Sequence, residues 1–348
     1  MTYIIGEIGQ NHNGSINNAK LLIDIASRPI IDKLFGQKLQ PMDAVKFTKR
    51  DLNNELTTSM MNKPYDSPNS FGITYGEHRK FLELNDEEHH ELYEYTKKKN
   101  LEFVETICAT GCFTIFNKFY PDKLKVASRD LTNLPLLSAL SETNIPIILS
   151  TGMGGKKEID DALNIITKHH ENISILHCVS EYPTQYKHVN LKTISWLKKN
   201  YSNYIIGYSD HTIGIATPIA AVSLGAKIIE KHITLDRNMK GTDHSGSLGP
   251  DGIFRMVRDI RNLELSMGSE DIGINKSVYQ AKNKLERSIA TNKKLNAGAI
   301  LTINDIHLLS PGDGYKWSEM DSIIGRQLKR ALPANEIIYE KDLIKNKK

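Results

Sequence analysis

The chain has 348 residues, 39% of them hydrophobic and 25% charged, with 45 basic against 41 acidic side chains and a formal net charge of +4. This is ordinary globular composition, which excludes disorder as the main state and provides for one large domain plus a small one, or two of middling size. The slight positive charge is spread along the chain, without the clustered basic stripe that announces a phosphate backbone, so no nucleic-acid partner is expected.

The first residues, MTYIIGEIGQNHNG, place a carboxylate and several amides after only three apolar residues. A secretory h-region is absent there, and a cytoplasmic protein is expected. The most apolar stretch, Ile213 to Ile229, is broken by Thr217, Pro218, Ser223, Gly225 and Lys227, so no membrane span is expected either. Cys108, Cys112 and Cys178 lack zinc-like spacing and read as reduced intracellular thiols with no assigned chemistry.

Along the chain, short β-branched runs alternate with stretches of helical spacing. The runs are Tyr3 to Ile8, Ala44 to Phe47, Glu102 to Thr106, Lys125 to Ser128, Pro146 to Ser150, Ser174 to Val179, Ile205 to Ser209 and Ile228 to Ile233. Helices are expected at Asn17 to Ser27, Asp86 to Lys99, Leu134 to Ser141, Lys157 to His169, Leu191 to Lys199, Ile215 to Leu224 and Phe254 to Met267. Near-continuous apolar strands separated by helices imply an α/β fold with a parallel sheet covered on its outer face. Eight such units favour closure into a (β/α)8 TIM barrel, although an open doubly wound sheet produces similar local signals. After Gly268 the pattern becomes polar and aperiodic, which reads as a linker over 269–286. Residues 287–348 hold short alternating pieces punctuated by Gly and Pro, as in a small β-rich domain ending in a frayed KNKK tail.

In a barrel the active site forms at the carboxyl ends of the strands, and here those ends are unusually polar. They contribute Glu7 with Asn11, His12 and Asn13 from the first strand, Lys46 from the second, Thr106 from the third, and Lys125 with Ser128 from the fourth. Ser150, then Ser180 and Tyr182, then Ser209-Asp210-His211, and then Glu230-Lys231-His232 follow from strands five to eight, with Asp243 and His244 on a further loop. Burying lone charges costs several kcal/mol each unless they find partners, and a ligand with negative charges and hydroxyls supplies a reason to collect them. A single strand histidine is more often a hydrogen-bonded core residue than a metal ligand. His211 and His232, however, end neighbouring strands, within reach of one divalent ion, with the oxygens of Glu7, Asp210 and Glu230 as further ligands or anchors. Two imidazoles among oxygens suit Mn²⁺, with Mg²⁺, Co²⁺ or Fe²⁺ as substitutes. Lys46 and Lys125, with Ser128, Ser150 and Ser209, form a mix of cations and hydroxyls that binds phosphate or carboxylate. The glycines of STGMGG at Ser150 to Gly155 suit a phosphate cradle or simply a tight turn, and DHSGSLGPDG reads as a flexible loop near the mouth. No nicotinamide or flavin site is expected, since no GxGxxG fingerprint is present, and a GxSxG elbow and an HExxH helix are absent as well.

Taken together, IIGEIGQNHNG, AVKF, KVAS, ILSTGM, HCVSEYPT, GYSDHTIG and IIEKHITLDRNMKGTDHS resemble the sialic acid synthase family, and ERSIATNKKLNAGAILTINDI resembles its small antifreeze-like (SAF) domain. The resemblance implies condensation of phosphoenolpyruvate with N-acetylmannosamine or a related aldose to a nine-carbon 2-keto acid and phosphate. It implies a metal on His211 and His232. Phosphoenolpyruvate would bind Lys46, Thr106, Lys125, Ser128, Ser150, Ser180 and Ser209, and the sugar Glu7, Tyr182 and Asp243. Glu7, Asp243 and Glu230 would be catalytic, and the small domain would reach into a partner's barrel in a swapped homodimer. Thr48, Arg129 and Ser310 stand where the family often has Gln, Gly and, in bacterial members, Arg. These departures point toward a modified, phosphorylated or non-acetylated mannose. Two other readings stand beside this one. The first is a phosphoenolpyruvate-dependent synthase of seven- or eight-carbon keto-sugar acids. The second is a non-catalytic ice- or carbohydrate-binding protein, which has no use for charged strand ends.

Overall fold

The structure, a computed structural model, describes residues 1–32 and 35–345, so the last three residues of the KNKK tail lie outside the described residues. It divides into two compact units, Met1–Gly268 and Ser269–Lys348.

The first unit is built on eight parallel strands: β1 (Tyr3–Glu7), β2 (Ala44–Lys49), β3 (Glu102–Ile107), β4 (Lys123–Val126), β5 (Ile147–Ser150), β6 (Ile173–Cys178), β7 (Ile205–Asp210) and β8 (Ile228–His232). They form a closed barrel in chain order, with β8 returning to β1 in a register that runs from Tyr3 opposite Ile228 to Glu7 opposite His232. Closure removes the open-sheet alternative, and with it the unpaired edges that such a sheet would carry. Seven α-helices cover the outside: α1 (Ile16–Ala26), α2 (Asp86–Lys98), α3 (Leu134–Ser141), α4 (Lys156–Ile166), α5 (Lys192–Asn200), α6 (Ala216–Ser223) and α7 (Pro250–Ser266). The β3-to-β4 crossover is made instead by a 3-10 segment, Thr110–Asn117. Helix α2 shows why these stretches are helical: Asn85 and Glu88 form a capping box, three carboxylates occupy the first turn, and Lys97 and Lys98 sit in the last, all favourable to the helix dipole.

Strand side chains alternate between the two faces of the barrel wall. Outward, Ile4, Val45, Phe47, Phe103, Val126, Leu149, Ile175 and Ile229 pack against the helices in one large core. Inward, Ile5, Ala44, Val104, Ile148, Leu176 and Ile228 fill the barrel as an apolar floor. One step of two residues further along the same six faces brings Glu7, Lys46, Thr106, Ser150, Cys178 and Glu230. The strand period therefore stacks a polar layer directly on an apolar one.

Most element boundaries shift by one to three residues from the sequence expectation, and three differences bear on the site. Strand β4 ends at Val126, and Ser128 opens a short 3-10 turn, Ser128–Asp130. Helix α7 starts at Pro250, since proline at the first helical position needs no amide donor. The β2-to-α2 connection carries three short helices, Leu52–Glu55, Thr58–Met61 and Tyr75–Leu82. The first two are four residues long, too short to leave a periodic signal.

In the second unit, the segment expected as a linker holds a short helix, α8 (Tyr279–Leu285). Strands β9 (Ser288–Thr291) and β10 (Ile306–Leu309) pair antiparallel, and Ile289, Leu301, Ile323, Leu332 and Ile338 form a separate small core. Among the described residues, no helix is long and apolar enough to cross a membrane.

Candidate active site

A cavity of about 280 Å³ opens at the carboxyl end of the barrel. Its lining includes all thirteen residues to which the family resemblance gives a role, Glu7, Lys46, Thr106, Lys125, Ser128, Ser150, Ser180, Tyr182, Ser209, His211, Glu230, His232 and Asp243, whereas Asn11, His12, Asn13, Asp210, Lys231 and His244 do not line it. Thr48 and Arg129, two of the three departures from the family pattern, line it as well, and Ser310 lies in the second unit, its hydroxyl donating to the Leu285 carbonyl.

Its floor is a charged cluster. Lys46 Nζ lies 2.7 Å from Glu7 Oε2 and 3.6 Å from Glu230 Oε2, and donates to Thr106 Oγ1 at 3.3 Å. Ser209 donates to Glu230 Oε1 at 2.9 Å. Burial, together with the neighbouring Glu230 charge, pushes Glu7 well above the usual carboxylate range despite Lys46. Glu230 is buried too, but Lys46, Lys125 and the Ser209 hydroxyl overcome that penalty and hold it below the usual range. Two carboxylates around one ammonium are thus driven apart, one toward carrying a proton and the other toward permanent charge. Lys125 is different again. Its ammonium donates to Ser150 Oγ at 2.6 Å and to the Val126 carbonyl at 2.8 Å, and no carboxylate pairs with it among the described residues. Burial and the Lys46 charge lower its pKa, as expected for a buried cation that lacks an anion.

The STGMGG turn after β5 closes over this floor. Gly152 N donates to Ser128 Oγ at 3.0 Å, and a Cβ at Gly152 would fall 2.5 Å from Ser180 Oγ and 2.8 Å from Ser128 Oγ. Only glycine lets the turn approach those hydroxyls so closely.

His211 and His232 face each other with ring centroids 5.5 Å apart, and the Tyr182 ring lies 4.0 Å from His211. His211 Nδ1 donates to the Val179 carbonyl at 2.9 Å, which leaves Nε2 available to a ligand. His232 Nδ1 is buried without a hydrogen-bond partner, and burial lowers the pKa of the ring. Two imidazoles so arranged fit a divalent cation that draws its other ligands from substrate and water. No cluster of three His, Cys, Asp or Glu side chains suited to a metal occurs among the described residues, so the protein supplies no closed coordination shell. Asp210 in particular does not serve as a ligand. Its Oδ1 accepts from the Tyr208 hydroxyl and Thr212 N, and its Oδ2 from Lys231 Nζ at 2.6 Å and the Thr212 hydroxyl.

Other buried polar atoms with no hydrogen bond in the protein gather in the same lining: Gln10 Oε1, Arg79 Nη1, Ser180 Oγ and Glu230 Oε2. Buried polar groups are normally paired, so a concentration of unpaired ones marks where a polar ligand binds. Gln10, Arg50 and Arg79 escaped the sequence reading. Arg50 continues the two-residue alternation through Lys46 and Thr48, a signal that was present in the sequence. Arg79 sits on the Tyr75–Leu82 helix of a long connection, and nothing local ties it to the barrel mouth.

Comparison with known proteins gives a consistent result. The NeuB family profile matches residues 38–272, and the SAF domain profile matches residues 286–344. The chain is 34% identical to an N,N'-diacetyllegionaminic acid synthase of Campylobacter jejuni, over 97% of this chain and 99% of that protein. It is 32% identical to the human N-acetylneuraminate-9-phosphate synthase, over 99% and 93%. The crystal structure of an N-acetylneuraminic acid (sialic acid) synthetase from Leptospira borgpetersenii in complex with citrate superimposes with a TM-score of 0.66 at 30% identity, covering 80% of this chain and 90% of that one.

Proposed function

The chain belongs to the NeuB family, and from that premise we propose that it condenses phosphoenolpyruvate with a mannose-type aldose, N-acetylmannosamine or a modified relative, to give a nine-carbon 2-keto sugar acid and inorganic phosphate. The observation that carries this reading is the layer of Lys46, Lys125, Glu7 and Glu230, with two imidazoles beside it, lining one cavity.

Lys125, paired with no carboxylate among the described residues and flanked by the Ser150 hydroxyl, is the anion anchor, and Thr106, Ser128, Ser180 and Ser209 complete a cradle for the phosphate and carboxylate of phosphoenolpyruvate. Lys46 bridges that cradle to the carboxylate pair. Attack of C3 on the acceptor aldehyde forms the new C–C bond and leaves positive charge at C2, which the ionised Glu230 stabilises. The aldehyde oxygen takes up a proton and becomes a hydroxyl. Glu7, with its raised pKa, is suited to that transfer, and Asp243 and Tyr182 hold the sugar against it. Water adds to C2, losing a proton to Glu7 or Asp243, and the tetrahedral adduct collapses with cleavage of the C2–O bond to release phosphate. A divalent cation on His211 and His232, Mn²⁺ by the character of the donors, supplies Lewis-acid polarisation of the aldehyde when bound.

The test is incubation with phosphoenolpyruvate labelled with ¹⁸O at the bridging oxygen, Mn²⁺ and a panel of mannose derivatives. Label in the released phosphate and a product of acceptor mass plus the pyruvate unit support the proposal. A seven- or eight-carbon product moves the acceptor to a shorter sugar phosphate, and absence of phosphate release with every acceptor overturns the reading. The same proposal includes a cytoplasmic homodimer in which the small domain reaches a partner's barrel, and sedimentation equilibrium reads its mass.

A further inference from the structure

The loop between β8 and α7 carries Asp243 into the cavity wall, and hydrogen bonds tie it to neighbouring segments. The residue beside Asp243 is His244, whose side chain is fully buried. His244 Nδ1 lies 2.7 Å from the Thr234 hydroxyl, and Nε2 lies 3.1 Å from Asn13 Oδ1. The direction of these bonds follows from their surroundings. Asn13 Nδ2 donates to the Lys240 carbonyl at 3.0 Å, which fixes the amide with Oδ1 as an acceptor. His244 Nε2 therefore donates to Asn13 Oδ1, while Thr234 Oγ1, whose own proton goes to the Asp236 carbonyl at 2.9 Å, anchors the ring at Nδ1.

Asn13 itself sits in the left-handed region at φ 51, a conformation that asparagine tolerates and most residues resist. Gly241, at φ 146, passes so close to the imidazole that a Cβ there would fall 2.6 Å from His244 Cδ2. One ring thus ties the β1 loop, the end of β8 and the Asp243 loop together.

We propose that His244, clamped between Asn13 and Thr234, is the positioning residue that fixes Asp243 in the cavity wall. The proposal rests on the synthase reading for what Asp243 does there. Its geometry can be tested without that reading. Misplacing a reacting group by about 1 Å costs on the order of 100-fold in rate, so a released clamp has a large kinetic signature.

Two readouts separate the clamp from the chemistry. Trypsin cuts after Arg237 and Lys240, both exposed on the loop. In H244F, and independently in N13A, mass spectrometry should find cleavage at these two bonds at least about tenfold faster than in the wild type while cleavage in the second unit is unchanged. Equal loop cleavage in wild type and both variants overturns the clamp. In the synthase assay, both variants should lose about 30- to 100-fold in kcat with the KM for phosphoenolpyruvate within about twofold. Adding D243N to H244F should cost less than about threefold more, since the carboxylate is already displaced. Multiplicative losses in the double variant overturn the positioning role and leave His244 a structural residue. A wild type that releases no phosphate with any acceptor sinks the synthase reading, and the trypsin arm still decides the clamp. N13A changes a half-buried loop residue and so keeps the test open if H244F fails to fold.

Discussion

Two neighbouring residues on β8 make buried ion pairs of opposite kinds. Glu230 points inward to Lys46 at 3.6 Å, in a cluster where Glu7 Oε2 and Glu230 Oε2 both lack a hydrogen bond and Lys125 pairs with no anion among the described residues. Lys231 points outward to Asp210 at 2.6 Å, both side chains are fully buried, and each Asp210 oxygen is bonded to two donors. The outer pair is closed and its polar groups are satisfied within the protein. The inner cluster is unbalanced, and its unsatisfied groups face a cavity. Burial and charge alone do not separate a structural pair from a functional one; the completeness of hydrogen bonding does.

Substitutions sharpen this contrast. The largest effect is expected at Lys125: K125M should lower kcat/KM for phosphoenolpyruvate by about a thousandfold, roughly 4 kcal/mol of transition-state stabilisation, while the melting temperature holds or rises, because an unpaired buried cation has been removed. A parallel loss of melting temperature would make Lys125 structural and break the contrast. Next, D210N strands the Lys231 ammonium and should cost about 3–5 kcal/mol of stability in urea unfolding, with turnover per folded molecule retained.

A smaller effect belongs to His12 in the outer shell. Its ring packs against Phe47, its Nδ1 accepts from Gly14 N at 3.0 Å, and burial lowers its pKa to about 3. Since the unfolded imidazole titrates near 6.5, the unfolded state binds the proton first, and stability is full above that pH and falls as pH drops toward 3. The loss at pH 5 relative to pH 7 should be about 2 kcal/mol from this group, and H12N should flatten that part of the stability profile. An unchanged slope would mean that the ring takes up its proton as readily in the fold as in the unfolded chain. The smallest effect is expected at an exposed helix pair, Lys157–Asp161 at 2.7 Å, where K157A should leave the melting temperature unmoved because solvent screens the pair.

Much of the site was legible because the strand period of two is a local property. Ile5 and Glu7, Val104 and Thr106, or Ile148 and Ser150 announce an apolar floor beneath a polar layer once the strands are placed. Arg50 lies on the same alternation and was readable by the same rule. Arg79 was not, because the connection over residues 50–85, with its short helices, carries no period that relates it to the barrel mouth. The sequence leaves Asp210 open as a further metal ligand or an anchor. Its one-residue offset from Ser209 turns it to the outer face, and only the positions of Lys231, Tyr208 and Thr212 show that both its oxygens are occupied there.

From its residues alone, then, the chain specified eight strands, the face each side chain takes and the family its motifs resemble, since propensity, alternation and turn chemistry act over a few residues. Tertiary structure alone decided which charges neutralise one another, which polar atoms remain open to a ligand, and that His244 joins two loops more than two hundred residues apart. Those outcomes depend on distances across the barrel of a few ångströms, and no local pattern encodes them.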